Sequence, residues 1–464
     1  MQFVQHYLDC LSQASYLIAD DVTRVAAVVD PRRDVEVYLA DAREAGLRIA
    51  HVIETHFHAD FLSGHLELAA ATGAEIVYGS AATADFAFRP VRDGERLALG
   101  DPHDGVVLEI RETPGHTPES ISVVVYERGD DPEPYGVLTG DTLFIGDVGR
   151  PDLLASVGTT ADELARLLHT SVHERLLTLP DATRVFPAHG AGSACGKNLS
   201  TETSSTIGEQ RRTNYALQPM SVEAFVAAVT EGQAQAPDYF AYDADRNRRD
   251  HTLLDDAPPA ALTVDEVQAA AADGAAIVDT RDAVAFAAGH LVGSINVGLG
   301  GRYAEYVGSV LDPDRDLVLV TEPGDEAQAK TRLARIGFDR VVGALDGGAP
   351  ALAQRPEAVA TASRLTASRL EQARRDAPDL QLVDIRTPSE QREGVLDGAR
   401  SIPLAELRHR LGELDLERPI VVYCAGGYRS SIAASLLRAT GATDVSDVLG
   451  GYGACSPGPA PSVR

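Results

Sequence analysis

The sequence predicts an α/β chain: one region of short strands and helices, followed by two small parallel-sheet α/β domains. Three observations carry this. Residues 1 to about 215 alternate short apolar strands with turns and helices. A unit of about 100 residues occurs twice after residue 260. The length of 464 residues leaves room for about three domains at roughly 150 residues each.

In the first region "YLIADD", "RVAAVVDP", "AEIVYGS", "GVVLEIRETPGH" and "ISVVVYE" read as strands, closed by Gly, Pro or charge. "DVEVYLADAREAG" and "ADELARLLHTSVHERLLTL" repeat apolar residues at helical spacing. Residues 216–260 read as a helical tail and a polar linker, because "YDADRNRRDHTLLDDAPPAA" is charge-rich and runs into Pro-Pro. The repeat starts at Leu262 and again at Leu365. Each copy predicts a capped helix, a strand ending in Asp-x-Arg, a glycine-containing turn and a small apolar strand. Asp279 and Asp384 correspond. A further strand follows in each copy, "DLVLVTEPGDEA" and "PIVVYCAGGYRSS", which aligns Glu322 with Cys424. Two such βα units imply two small parallel sheets. The expected domains are 1–255, 260–358 and 363–464.

Net charge is −28, from 41 basic and 69 acidic residues. That disfavours nucleic acid and anionic membrane surfaces as partners, but not an anionic small substrate met by a few arginines. No basic segment followed by an apolar one opens the chain as a secretory signal would. No apolar run approaches the roughly 18 residues of a membrane span. The four cysteines, Cys10, Cys195, Cys424 and Cys455, lack zinc-finger spacing and read as reduced thiols of a cytoplasmic protein.

The chemistry concentrates in "ETHFHADFLSGH", Glu54 to His65. His56 and His58 stand on a turn after an apolar strand, and Asp60 follows two residues later. "TPGHTPES" with His116, "LTGDTLFIGDVGRPD" with Asp141 and "VFPAHGAG" with His189 come downstream, each after an apolar strand and beside glycines. These four ordered segments resemble the motif set of the metallo-β-lactamase superfamily. The resemblance covers residues 1 to about 215 and implies an αβ/βα sandwich. Its glyoxalase II-like hydrolases use His-x-His-x-Asp-His, the last two residues helping to hold a second metal. Here Phe61 replaces that last histidine, and a benzyl ring cannot ligate. His56, His116 and Asp141 remain, a 2-His-1-carboxylate set suited to non-haem Fe(II) acting on O₂.

The persulfide dioxygenases of the superfamily are similar, and the likeness implies one Fe(II) per chain on those three residues. Phe61 then closes the second site. His58, Asp60 and His189 orient ligands or bond the substrate. "GDVGRPDL" also matches the dioxygenase branch. Arg150 is either a grip for a carboxylate of a glutathione-like thiol carrier or a surface arginine in a turn. Cys195 is either a persulfide relay beside the iron or a buried, inert thiol.

"IVVYCAGGYRSSIAASLLRATG" is a strand, a glycine-rich loop and a helix. Cys424 opens the loop and Arg429 stands five residues on. The intervening residues Ala425, Gly426, Gly427 and Tyr428 can turn their N–H groups inward at a helix N-terminus, which stabilises an anionic, nucleophilic sulfur. The segment resembles the rhodanese domains over about residues 363–455, whose active loop is Cys-x4-Arg. Asp384, Arg386 and Glu390 then read as structural. In the first copy Glu322 replaces the cysteine and cannot carry a sulfane sulfur, so that copy is expected to be inactive.

Together the resemblances imply a persulfide dioxygenase followed by two rhodanese domains. The substrates would be a small thiol persulfide and O₂, the products sulfite and thiol, and Cys424 would exchange sulfur with a persulfide, thiol or sulfite. A zinc thiolester hydrolase of glyoxalase II type and a non-catalytic sulfur carrier or sensor stand as alternatives. The carrier thiol, the direction of transfer and the oligomeric state, a homo-oligomer included, stay open.

Overall fold

The computed structural model describes residues 1–153, 159–233 and 235–456. The chain divides into two compact units. One is Met1–Asp255 with Ala334–Gly337, and the other is Asp256–Leu333 with Phe338 onward.

The first unit is an αβ/βα sandwich. One six-stranded sheet takes its strands in chain order: β1 (Gln2–Leu8), β2 (Gln13–Ala19), β3 (Val25–Val29), β4 (Arg48–Ile53), β5 (Glu75–Gly79) and β6 (Arg89–Val91). The other does the same with β7 (Arg96–Ala98), β8 (Val107–Glu112), β9 (Ile121–Tyr126), β10 (Gly136–Gly140), β11 (Arg184–Pro187) and β12 (Ser205–Thr206).

The alternation of side chains explains the layers. On β2, Tyr16 and Ile18 enter the core between the sheets, while Leu17 and Ala19 face outward under the helix Glu36–Ala45. On β9, Val123 and Val125 point inward, and Val124 meets Ala165 and Leu168 of the helix Ala161–Thr170. Strands covered on both faces must be apolar at every position, which is why they read as continuous runs. Each fully buried Val or Ile contributes about 1.5–3 kcal/mol. The sequence-predicted helix after residue 160 bends into a π-turn at Ser171–Leu176.

Residues 242–247 open the charge-rich stretch read as linker, but they belong to the folded unit. Tyr239–Arg246 is a helix that buries Tyr239, Phe240, Asp243 and Ala244. Asp245 is exposed while Asp243 is buried with the aromatic residues, so composition alone hides the buried stripe.

The second unit holds the repeat. Its strands are β13 (Ala261–Leu262), β14 (Ala276–Asp279), β15 (His290–Leu291), β16 (Ile295–Asn296), β17 (Leu317–Val320), β18 (Val341–Leu345), β19 (Val359–Ala360), β20 (Ser363–Leu365), β21 (Gln381–Asp384), β22 (Arg400–Ser401), β23 (Ile420–Tyr423) and β24 (Val445–Val448). The two five-stranded sheets have the same order, β13-β18-β17-β14-β16 and β20-β24-β23-β21-β22. All pairs within them are parallel. β15 and β19 form a small antiparallel pair.

The Asp-x-Arg signature is a buried ion pair in both copies. Arg281 Nη2 lies 2.5 Å from Asp279 Oδ2, and Arg386 Nη2 lies 2.7 Å from Asp384 Oδ2. Gly451–Cys455 is a short helix, and the Pro-rich stretch from residue 457 lies outside the described residues. Among the described residues no helix is long and apolar enough to cross a membrane.

Candidate metal centre and sulfur-transfer loop

Four loops at the C-terminal ends of strands build the first site. His56 follows β4, His116 follows β8, Asp141 follows β10 and His189 follows β11. β10 and β11 are parallel, and β9 runs antiparallel to both β8 and β10, so these ends share one edge of their sheet. Gly149 lets the chain close over the site: a Cβ there would stand 1.9 Å from the Asp141 carbonyl oxygen and 3.0 Å from His116 Nδ1.

His56, His116 and Asp141 each offer a donor atom to one point, all within 4.8 Å of one another and all buried. Asp141 Oδ2 is 3.8 Å from His56 Nε2 and 3.5 Å from His116 Nε2. The far side of each ring is already engaged. The Thr55 hydroxyl donates to Asp30 (2.9 Å), so His56 Nδ1 gives its proton to Thr55 Oγ1 (2.9 Å). His116 Nδ1 donates to the Arg150 carbonyl (2.9 Å). Both Nε2 lone pairs therefore face the shared point. His56 Nε2 and Asp141 Oδ2 are buried without a hydrogen-bond partner. Orphaned acceptors converging in this way fit a cation, since burial without one would be costly. Burial first, and then the neighbouring His58, hold the His56 pKa well below its ordinary value.

His189 lies between two carboxylates, with Nδ1 2.8 Å from Asp141 Oδ1 and Nε2 2.8 Å from Asp60 Oδ2. Burial opposes its charge, yet Asp141 and Asp60 raise its pKa well above the ordinary value. His189 thus fixes Asp141 from behind. Asp60, His189 and Cys195 form a second buried donor set within 4.8 Å. Burial, then Asp60 and Asp141, push the Cys195 thiol well up. Phe61 is buried beside this set, its ring centre 6.3 Å from that of His189 and 4.3 Å from that of His58.

His58 turns towards a third set, 3.2 Å from Asp30 and 3.5 Å from Glu54. Burial disfavours its charge, but those two carboxylates bring its pKa up to about 10. Arg150 is only 3% exposed and grips Asp152 with Nε at 2.7 Å and Nη2 at 2.8 Å. Its Nη1 donates to the Ala194 carbonyl.

Residues without a motif hold these loops. Asn247, from the supposed linker, donates to the carbonyls of His58 and Phe61 (both 2.8 Å) and accepts from Ser63 N–H (2.9 Å). Glu119 accepts from Phe57 N–H. Asp147 accepts from the N–H groups of Lys197 and Asn198 and from the Tyr215 hydroxyl, which ties the segment after Cys195 to the Asp141 loop. A helical spacing from Tyr239 to Asn247 was the one available hint for Asn247. Nothing local marks Asp147.

In the second unit Cys424 follows β23 and is 1% exposed. Gly427 N–H donates to its Sγ at 3.0 Å. Gly427 has φ +99° and caps the helix Tyr428–Ala439, so the loop needs a residue free to adopt the left-handed region. Ala425 and Gly426 complete the turn. Tyr428 donates its hydroxyl proton to the Gly298 carbonyl (2.6 Å). Arg429 meets Glu390 in a fork, Nη1–Oε2 2.8 Å and Nη2–Oε1 2.5 Å. Burial raises the Glu390 pKa, but the bonds from Arg429 and Thr387 together outweigh it and bring the value down to about 2.

The first copy differs from its expected alignment by one residue. β14 pairs Asp279 with Val320, and β21 pairs Asp384 with Tyr423. The position of Cys424 is therefore held by Thr321, not Glu322. The backbone agrees: Tyr452 N–H donates to the Cys424 carbonyl, and Ala349 N–H to that of Thr321. Glu322 stands at the place of Ala425, Pro323 at Gly426 and Glu326 at Arg429. The N–H of Gly324, matching Gly427, donates to Glu326 Oε2 (2.9 Å). Short apolar strands align almost equally well at neighbouring registers, and only the ladder decides between them.

A model of the metallo-beta-lactamase superfamily matches residues 8–189, and one of the rhodanese-like domain matches residues 263–355 and 366–456. "Persulfide dioxygenase ETHE1, mitochondrial" of Bos taurus is 30% identical over 243 residues, 51% of this chain and 83% of that protein. A hydroxyacylglutathione hydrolase of Rhodospirillum rubrum is 35% identical over 176 residues, 38% of this chain and 60% of that protein. A crystal structure described as a metallo-beta-lactamase from Staphylococcus aureus subsp. aureus COL is 32% identical with a TM-score of 0.66, covering 74% of this chain and 98% of its own.

Proposed function

We propose, for a chain that belongs to the metallo-β-lactamase superfamily and carries two rhodanese-like domains behind it, the oxidation of a small thiol persulfide by O₂ to sulfite and thiol, coupled to sulfur transfer by Cys424. The observation that carries this is the buried donor set His56, His116 and Asp141, two imidazoles and one carboxylate whose donor atoms converge on one point, with His56 Nε2 and Asp141 Oδ2 lacking any hydrogen-bond partner. The bovine relative named as a persulfide dioxygenase supports it, with 83% of its length matched.

One ferrous ion on these three residues would supply the O₂ chemistry and leave coordination positions free for substrate. The protein's part is to hold the donors. Thr55 sets the His56 ring, the Arg150 carbonyl sets His116, and the His189 cation sets Asp141, each leaving one lone pair directed inward. The phenyl ring of Phe61 keeps a histidine out of the second donor set.

At the other site the Cys424 sulfur attacks the outer sulfur of a persulfide or thiosulfate. A new S–S bond forms, the old one breaks, and thiol or sulfite leaves with the electron pair. The Gly427 N–H supports negative charge on Cys424 Sγ. Run with sulfite as acceptor, the same exchange yields thiosulfate. The biological role would be the disposal of sulfide.

A second reading rests on Asp60, His189 and Cys195, whose donors also lie within 4.8 Å of one another. Filled together with the first set, they would make a two-metal thiolester hydrolase, in line with the relative from Rhodospirillum rubrum. Metal analysis with O₂ uptake on glutathione persulfide separates the two. We expect about one iron per chain and O₂ consumption. Two metals per chain, both needed for thiolester cleavage and with no O₂ uptake, would overturn the dioxygenase assignment.

A further inference from the structure

The first rhodanese copy has lost its nucleophile but keeps a cavity of about 660 Å³. The cavity lies at the carboxyl ends of β14, β16 and β17, where open parallel sheets place their ligands. Its volume is that of a small-molecule site. It also abuts the active loop of the second copy. Tyr428, four residues after Cys424, forms part of its wall and bonds the Gly298 carbonyl of the first copy. Tyr306 from the first copy lines it as well, with ring centre 5.5 Å from that of Tyr428. Arg429 and Cys424 are near enough to Tyr306 to act on its phenol.

The charge of the cavity is uneven. Arg281 is held by Asp279 and Arg302 by Glu305, so neither cation is free to balance a ligand. Glu322 and Asp325 line the cavity; neither carboxylate has a side-chain hydrogen bond or close ion pair among the described residues, and Arg281 acts on Glu322 only from beyond that range. Beside Glu322, at the place of the lost cysteine, the buried Thr321 hydroxyl has no hydrogen-bond partner. A ligand that completes this site brings a cation to the two carboxylates. To be of use to Cys424 it also brings a sulfur to the Tyr428 side.

We propose that the vacated site of the first copy seats the small aminothiol that exchanges sulfur with Cys424. Its ammonium lies at Glu322 and Asp325, and its sulfur passes Tyr306 towards the active loop. The inference rests on the role given above to Cys424. The exchange balances without an external oxidant. The thiolate attacks the outer sulfur of the Cys424 persulfide, the S–S bond within that persulfide breaks, and Cys424 leaves as a thiolate. The products are the aminothiol persulfide and the free enzyme.

The test loads Cys424 with thiosulfate, which releases sulfite, and follows transfer to cysteamine and to 2-mercaptoethanol at equal thiolate concentration. These acceptors differ only in carrying an ammonium or a hydroxyl. Every thiol rate is divided by the same protein's rate with cyanide, which has no ammonium to be held. The full-length wild type should favour cysteamine by roughly five- to tenfold, as one or two partly screened ion pairs would give. Glu322→Gln with Asp325→Asn should bring the ratio to about one. Gly300→Leu should lower both thiol rates relative to cyanide, since Gly300 lines the cavity, has no strained φ and has open space where a Cβ would stand. An equal preference in the wild type, or a preference that survives the double substitution, would overturn the inference and leave the role of Cys424 intact. No transfer to cyanide from any preparation would overturn that role, and the inference with it.

Discussion

The two rhodanese-like copies have one sheet order and one buried Asp–Arg clamp, yet their loops treat the same backbone N–H in opposite ways. In the second copy Gly427 N–H donates to Cys424 Sγ. In the first, the matching Gly324 N–H donates to the carboxylate of Glu326, which stands where the other copy has Arg429. The first loop therefore fills its anion seat with its own side chain. Pro323 removes a further N–H from the turn. The fold resides in apolar strands such as Leu317–Val320 and Ile420–Tyr423, which keep the same sheet order under two different loops. The chemistry resides in about six residues after each strand, and in the first copy those became lining for a cavity.

Cys424→Ser should have the largest effect. Transfer from thiosulfate to cyanide should fall by at least about 10³-fold, since covalent catalysis loses its nucleophile. O₂ uptake on a supplied persulfide should stay within about twofold, because that donor set belongs to the other unit. Substantial remaining transfer would point to another cysteine, Cys195 first. Thr321→Cys in the Cys424→Ser background should then restore less than about 1% of wild-type transfer. The N–H that would support its sulfur is taken by Glu326, and no arginine follows. Recovery near the wild-type level would mean that the missing thiol alone silenced the first copy.

The clamps differ in degree. Arg386 is 2% exposed on its side chain and stacks on Tyr452 at 3.8 Å, whereas Arg281 is 9% exposed. Removing one partner of a buried pair costs about 3–5 kcal/mol. Arg386→Ala should destabilise its copy by that amount, and Arg281→Ala by about 1–2 kcal/mol less, read from denaturant unfolding. Equal losses would mean that the stacked ring contributes nothing.

The smallest expected effect concerns pH. The Glu390 pKa falls from its ordinary value near 4.5 to about 2 on folding. A depressed carboxyl contributes its full stability above the unfolded value and loses it as pH falls towards the folded one. From pH 5 to 3 the wild type should lose about 1 kcal/mol more than Glu390→Gln, a figure kept small because the pair is partly solvated. The first copy has no equivalent pair, so hydrogen exchange in its Thr321–Glu326 loop should not change between the two proteins. A matching change in both loops would tie the acid response to something other than Glu390.

Much of the molecule was legible in the sequence. Strands with two buried faces show as unbroken apolar runs, and ligand types at strand ends show as motifs. His56, His116, Asp141 and Cys424 could be named because a donor atom needs a particular residue type and a rigid strand end to present it. The structure brings the first three to one point, and places Cys424 under the N–H of Gly427.

What the sequence left open depends on partners far along the chain. His58 stands two residues from His56 in the same motif, but whether its ring faces the metal point or Asp30 and Glu54 is a matter of packing across the sandwich. Arg150 lies beside a motif, and only its burial against Asp152 shows where its guanidinium is spent. Asn247 holds the metal loop from nearly 190 residues away, by three hydrogen bonds that no local pattern announces. The register that puts Thr321 rather than Glu322 in the cysteine's place is set by ladder pairing with β14. Local sequence determined which residues can do chemistry and which segments form strands. Tertiary structure alone decided which of those residues face one another, because side-chain direction and strand register are settled by long-range contacts that a linear pattern does not contain.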